Sequence, residues 1–201
     1  MPYGPSALYQ IGTIMFHVEQ NVANEIVALL VQAELHPRGM AEKLQTNHMT
    51  ISRKLRILVE ENIVDYHTEG KNNIYFLKKS IEGRNAAMTA ELYKQSRIVS
   101  TYPVLRGIFR AVQEIEEIHL AILYGSYAKR LATKDSDIDL YIETLNPAIK
   151  KQLLERHSAL SVKIGEFDTR SQLIREIIKD HIIIKGIEVY FDKTGIFEKI
   201  T

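Results

Sequence analysis

Asp137 and Asp139 stand two residues apart and alternate with Ile138, Leu140 and Ile142. Residues at this spacing in an extended strand share one face, so both carboxylates point one way and the apolar side chains the other. Two carboxylates side by side repel each other. A divalent cation relieves that repulsion, and oxygen ligands of this kind suit Mg2+. Upstream, the apolar run Ala121–Tyr124 breaks at Gly125-Ser126, and a short helix-compatible segment follows. Free backbone N–H groups at such a strand-to-helix turn attract an anion, most naturally a phosphate. Together the two stretches describe a site for a metal–triphosphate complex. Lys129 and Arg130 lie just past the turn, within reach of phosphate, though their types equally suit a solvated helix face.

The flanking chain supplies the elements that would hold these groups. Val104 to Ile118 has an amphipathic helical pattern, with Leu105, Ile108, Phe109, Val112 and Ile115 on one face, and it feeds the strand Leu120–Tyr124. A further strand is expected over Ser161–Asp168, a helix over Leu173–Ile184 and a closing strand over Gly186–Phe191. Helix, strand, Gly-Ser, short helix and a strand bearing Asp-x-Asp is an order that resembles the nucleotidyltransferase superfamily that includes DNA polymerase beta. Gly125-Ser126-Tyr127-Ala128 and Ser136-Asp137-Ile138-Asp139-Leu140 are similar to the motifs of its minimal prokaryotic members. Either motif alone is a weak signal; the pair at this separation is a strong one. The resemblance spans about residues 104–192.

That resemblance implies that Gly125 and Ser126, with Lys129 and Arg130, hold the triphosphate of an incoming nucleotide. It implies that Asp137 and Asp139 bind two Mg2+ ions, which align an attacking hydroxyl and neutralise the leaving pyrophosphate. The family usually has glycine where this chain has Arg130. Active members also place a third carboxylate on a neighbouring strand, for which Glu166 and Asp168 are the candidates, Glu166 preferred. Strand parity works against both. Val162 and Ile164 belong on the core side and share parity with Glu166 and Asp168, so a regular strand aims Lys163 and Gly165 at the metal face. A bulge at Gly165 would reset the phase.

The first half reads differently. Apolar residues recur at helical spacing from Asn24 to Ala33, and His36-Pro37-Arg38-Gly39 interrupts the pattern. Gly39–Gln45 is expected as a second helix, and His48–Glu61, capped by Asn47, as a third. Ile63–His67 and Ile74–Leu77 follow as a hairpin with a polar tip. Three helices and a hairpin make a winged helix, and Gln45–Ile63 resembles the recognition helix of winged-helix regulators. There the outward side chains His48, Thr50, Arg53, Lys54 and Arg56 reach base edges and phosphates, and Lys71 on the wing reaches the DNA backbone. Tyr9–Val18 suggests a short strand or an N-terminal arm, and Ser80–Ser100 a linking or dimerising helix.

Composition limits the alternatives. The chain has 201 residues, 45% apolar, with a net charge of +1 and no cysteine. That charge excludes a globally basic nucleic-acid binder, so DNA contact needs a local basic patch. Without cysteine there is no disulfide framework and no thiolate nucleophile or metal site, which fits a cytoplasmic protein. No run suits a membrane span, and the N-terminus lacks signal-peptide character. The seven histidines show no paired metal-ligand spacing. The expected class is α+β: a winged helix over 1–79, a helical linker over 80–103, and a polymerase-beta-like domain over 104–201 whose mixed sheet carries helices on one face. The expected function is a DNA-binding nucleotidyltransferase that uses a nucleoside triphosphate and Mg2+ to modify a hydroxyl acceptor, such as a partner protein in a toxin–antitoxin-like pair. The alternative is a winged-helix regulator, expected as a homodimer, whose nucleotidyltransferase-like half senses nucleotide or dimerises without catalysis.

Overall fold

The computed structural model of the protein describes residues 21–155 and 157–197. The strand or arm expected over Tyr9–Val18 lies outside the described residues. The chain divides into two compact units, and the division falls between Ala90 and Glu91. No described helix is long and apolar enough to cross a membrane.

The first unit opens with helix α1 over 21–32, followed by α2 (Pro37–Lys43) and α3 (His48–Glu60). Helix α1 stops before His36-Pro37, as expected, and Pro37 then starts α2. Its fixed φ and missing N–H suit the first helical position, and the His36 ring accepts a hydrogen bond from the Gly39 N–H at 3.1 Å. Asn47 caps α3 as expected, its Oδ1 accepting from the Met49 N–H at 2.7 Å. Strands β1 (Val64–Glu69) and β2 (Asn72–Leu77) form the antiparallel wing. Leu35 adds an antiparallel bridge to Tyr75, with N–H to O distances of 3.0 and 2.9 Å, which no local pattern signals. Ile26, Val27, Leu30, Met40, Ile51, Leu55, Leu58 and Val64 form the core of this winged helix.

Helix α4 (Ile81–Thr101) contains the division. Its residues from Glu91 onward belong to the second unit. Ile98 is fully buried in that unit's core, and the Gln95 amide donates to the Ile183 carbonyl. The unit continues with α5 (Leu105–Glu114), β3 (Leu120–Tyr124), α6 (Gly125–Ala128), β4 (Ile138–Glu143), α7 (Ala148–Leu154) and β5 (Leu160–Ile164). It ends with α8 (Gln172–Lys179), β6 (Ile182–Lys185) and α9 (Ile187–Thr194). The sheet order is β5-β4-β3-β6. β3 runs antiparallel to both neighbours, and β4 and β5 are parallel.

One sheet face buries Leu123, Ile138, Leu140, Ile142 and Val162 with Ile108, Phe109 and Val112 of α5 and Leu153 of α7. Helical cover on this face is what the sequence led us to expect. The second face is covered as well. Tyr141 meets Phe167 edge-on with ring centres 5.9 Å apart, and Phe167 meets Tyr190 of α9 at 5.7 Å.

The C-terminal elements are where the sequence reading fails. The helix expected over Leu173–Ile184 stops at Lys179, and Ile182–Lys185 is a strand. Ile182, Ile183 and Ile184 are all buried, so their apolar run shows no period by which helix and strand can be told apart. The closing strand expected over Gly186–Phe191 is instead helix α9. Gly186 makes the turn between β6 and α9 at φ +82°, where an added Cβ would collide with the His119 carbonyl oxygen. Likewise α5 ends at Glu114 rather than Ile118, because Ile115 turns extended while staying buried.

Candidate nucleotide and DNA sites

Tyr124, the last residue of β3, pairs with Asp139 on β4. The chain then leaves the sheet through Gly125 at φ +71°. A Cβ on Gly125 would fall on the Asp139 carboxylate. Two facts therefore require glycine here: the left-handed backbone and the close approach of a charged side chain. The Gly-Ser turn and the carboxylate pair are thereby parts of one site. Helix α6 is a single turn, anchored by Tyr127, which is buried and packs edge-on against Tyr102 at 4.9 Å. Behind it the Leu131 N–H donates to the Ser126 carbonyl at 2.9 Å. Arg130 sits at φ 59°, a conformation that glycine adopts freely and arginine does not. The departure from the family pattern at this position changes the side chain and keeps the glycine-type backbone.

Ile138, Leu140 and Ile142 are buried, while Asp137 is exposed and Asp139 half-buried, so the expected alternation holds. Burial raises the Asp139 carboxyl above its ordinary range, and the charge of Asp137 adds to the effect. A hydrogen bond from Ser161 and the positive charge of Lys163 oppose it. Burial, together with the Asp139 charge, also raises the Tyr124 hydroxyl. A carboxylate pair strained by desolvation and mutual repulsion fits a divalent cation, whose charge removes both penalties. It follows that Mn2+ affinity should fall on acidification at a pH above the usual carboxylate range, because protonating Asp139 displaces the ion. Titrating Mn2+ binding against pH checks this. Asp139→Asn should lose the dependence together with most of the affinity.

Strand β5 completes the same face. In the parallel ladder Asp139 pairs with Ser161 and Tyr141 with Lys163, while Leu160 and Val162 enter the core. The strand stops at Ile164. Lys163 thus lies on the side of the Asp139 carboxylate, as parity demands, and no bulge brings Glu166 into the ladder. Glu166 is exposed beyond the strand end, where its charge helps raise the Tyr141 hydroxyl, an effect that burial and then Glu143 dominate. Asp168 is taken up by Arg170, which reaches it with Nε at 2.9 Å and a terminal nitrogen at 3.1 Å and holds its carboxyl low. Among the described residues, no three His, Asp or Glu side chains gather as a metal-binding group. Sequence reasoning missed Ser161, since only inter-strand register pairs it with Asp139.

On the first unit, His48, Arg53, Arg56 and the wing residue Lys71 are exposed and Thr50 is half-buried. Met49, Thr50, Ser52, Arg53 and Arg56 line a shallow depression of about 600 Å3 on the outer side of α3. Lys54 does not join them. It is only 8% exposed, because it falls in the buried stripe Ile51, Lys54, Leu55 and Leu58, at the i, i+3, i+4, i+7 spacing of an inward helix face. Arg53→Ala should therefore weaken DNA binding by about 1–3 kcal/mol, whereas Lys54→Met should leave the salt dependence of binding unchanged. Binding measured across a salt series separates the two.

The family comparison bears on the second unit. Residues 107–194 match the family described as polymerase beta, nucleotidyltransferase. This segment runs from α5 through α9, and the second unit is a nucleotidyltransferase domain of that type. No curated protein matches the chain. Among solved structures, the adhesin competence repressor AdcR from Streptococcus pyogenes is 15% identical with a TM-score of 0.39, covering 49% of this chain and 77% of its own. The transcriptional repressor BigR from Xylella fastidiosa is 17% identical with a TM-score of 0.31, covering 48% and 90%. A toxin–antitoxin structure with AMP-PNP is 17% identical with a TM-score of 0.34, covering 45% and 77%.

Proposed function

We propose that this protein binds DNA through α3 and the wing, binds a metal–nucleoside triphosphate complex in its nucleotidyltransferase domain, and transfers the nucleoside monophosphate to a hydroxyl acceptor. The supporting observation is the apposition of Gly125 and Asp139, which makes the phosphate turn and the cation ligands a single site. Gly125 and Ser126 receive the triphosphate, Lys129 and Arg130 add positive charge beside it, and Asp137 and Asp139 hold Mg2+. A bound Mg2+ supplies neutralisation of phosphate charge and of the leaving pyrophosphate. Positioning and electrostatics carry most of such a reaction, so a rigid turn fixed against a carboxylate suits it. The acceptor we favour is a hydroxyl on a partner protein. The winged helix would place the enzyme at its own operator in the cytoplasm, as a homodimer on a palindromic site.

A second reading has its own observation. Ser161 and Lys163 occupy the strand beside the carboxylates, and neither ligates a hard cation as a carboxylate does. On that reading the domain binds nucleotide and reports it to DNA without transfer. Incubation of the protein with labelled ATP, Mg2+ and cell lysate decides between the two. Labelled product that disappears in Asp137→Ala and Asp139→Ala supports transfer. Nucleotide binding that shifts DNA affinity without labelling supports the sensor. The absence of both labelling and nucleotide binding refutes both readings.

A further inference from the structure

The carboxylate face of β4 continues onto β5 through Ser161 and Lys163. Lys163 is exposed at the sheet edge, yet its charge acts on Asp139, offsetting part of the penalty that burial and Asp137 impose. Sites that hold two divalent ions about 3.5–4 Å apart must offset the repulsion of four positive charges with bridging anionic ligands. Around Asp139 this face offers two carboxylates and one ammonium, because Glu143, farther along β4, is engaged by Lys193 and the Phe167 N–H. The ammonium has three donors and no acceptor, so it cannot ligate a cation, but it can bind a phosphate oxygen as a compact point charge. The two carboxylates considered as a third ligand do not supply it. Glu166 lies past the strand end, where its charge reaches Tyr141, and Asp168 is engaged by Arg170.

We infer that the site takes one divalent cation for each triphosphate, and that the Lys163 ammonium stands where a second cation would and contacts the phosphates directly. This inference rests on the nucleotide-site reading given above and adds its stoichiometry and its phosphate-binding lysine. One cation and one ammonium still neutralise much of the triphosphate charge. Lys163 thus makes the site a strong binder of triphosphate with a single ion, and the lysine position decides the number of ions.

Equilibrium dialysis of the full-length protein against Mn2+ and inorganic tripolyphosphate tests this without reference to activity or base. The expected result is about one bound manganese per bound triphosphate in the wild type and about two in Lys163→Asp, which restores a bridging ligand. Lys163→Met should keep one manganese and bind triphosphate about tenfold more weakly, the loss of one charge-assisted contact. Both variants change an exposed edge-strand side chain, and an unchanged circular dichroism spectrum confirms their fold. Two manganese ions in the wild type, one in Lys163→Asp, or undiminished triphosphate affinity in Lys163→Met overturns the inference and leaves the nucleotide site standing. If the wild type binds neither manganese nor triphosphate, the nucleotide-site reading fails, and this inference with it.

Discussion

Gly125→Ala is expected to weaken binding of a Mg2+–nucleoside triphosphate at least about tenfold while costing the second unit about 1–2 kcal/mol of stability, the penalty of placing an L-residue in the left-handed region. The asymmetry between the two effects comes from what the new methyl group meets. At Gly125 it meets the Asp139 carboxylate, a side chain that can rotate away. The fold survives, but the rotation carries Asp139 off the position it shares with Asp137, and the cation loses its paired ligands. The contrast is Gly186→Ala, with the same left-handed backbone, where the methyl group meets the His119 carbonyl oxygen and the backbone itself must move. Urea unfolding should rank Gly186→Ala as the more damaging to stability. Mn2+ and nucleotide titrations should single out Gly125→Ala for loss of binding.

Acidification should destabilise the second unit through His181. This imidazole is 3% exposed, its Nδ1–H donates to the Ile178 carbonyl at 3.0 Å, and its ring lies 4.7 Å from that of Tyr190. Burial, together with the nearby Lys94 ammonium, pushes its pKa from 6.5 down to about 3. Lys94 is bound in turn to the buried Glu91 carboxylate at 2.9 Å. The folded-state value is depressed, so the unfolded chain takes up a proton that the folded chain refuses. The contribution of His181 is fully present above pH 6.5 and is lost progressively as pH falls toward 3, at up to about 1.4 kcal/mol per pH unit. Glu176 and Asp168, whose carboxyls are held low by Lys179 and Arg170, act only in more acidic solution. Asp139, raised in the fold, acts in the opposite sense. Hydrogen exchange of the β3 and β6 amides should show opening that becomes easier from pH 6.5 downward, and His181→Gln should flatten that slope. A slope unchanged in the variant would show that another group controls acid unfolding.

Much of the site was legible locally, because the information is local. Whether Asp137 and Asp139 share a face depends only on the two-residue repeat of a strand, and whether a chain can turn left-handed beside them depends only on a glycine being there. Strand β3 ends at Tyr124, where the apolar run ends. The capped helix α3 and the wing follow equally from short-range pattern. The misplacements have a common cause. Lys54 has an outward residue type and an inward position, and helix periodicity places it in the core whatever its charge. The triple isoleucine of β6 has no period to read, and a buried polar pair such as His181 and Glu91 has no signature at all until two distant segments meet.

The sequence by itself determined that this chain pairs a winged helix with a glycine-serine turn and a carboxylate pair of nucleotidyltransferase type, since residue spacing along one strand or helix sets which side chains share a face. The tertiary structure alone decided what stands beside that pair. The parallel register of β4 and β5 brings Ser161 to Asp139 and Lys163 to Tyr141, and the end of β5 at Ile164 leaves Glu166 outside the ladder. Register and strand length are set by how whole elements pack against a shared core, and no window of residues contains that information.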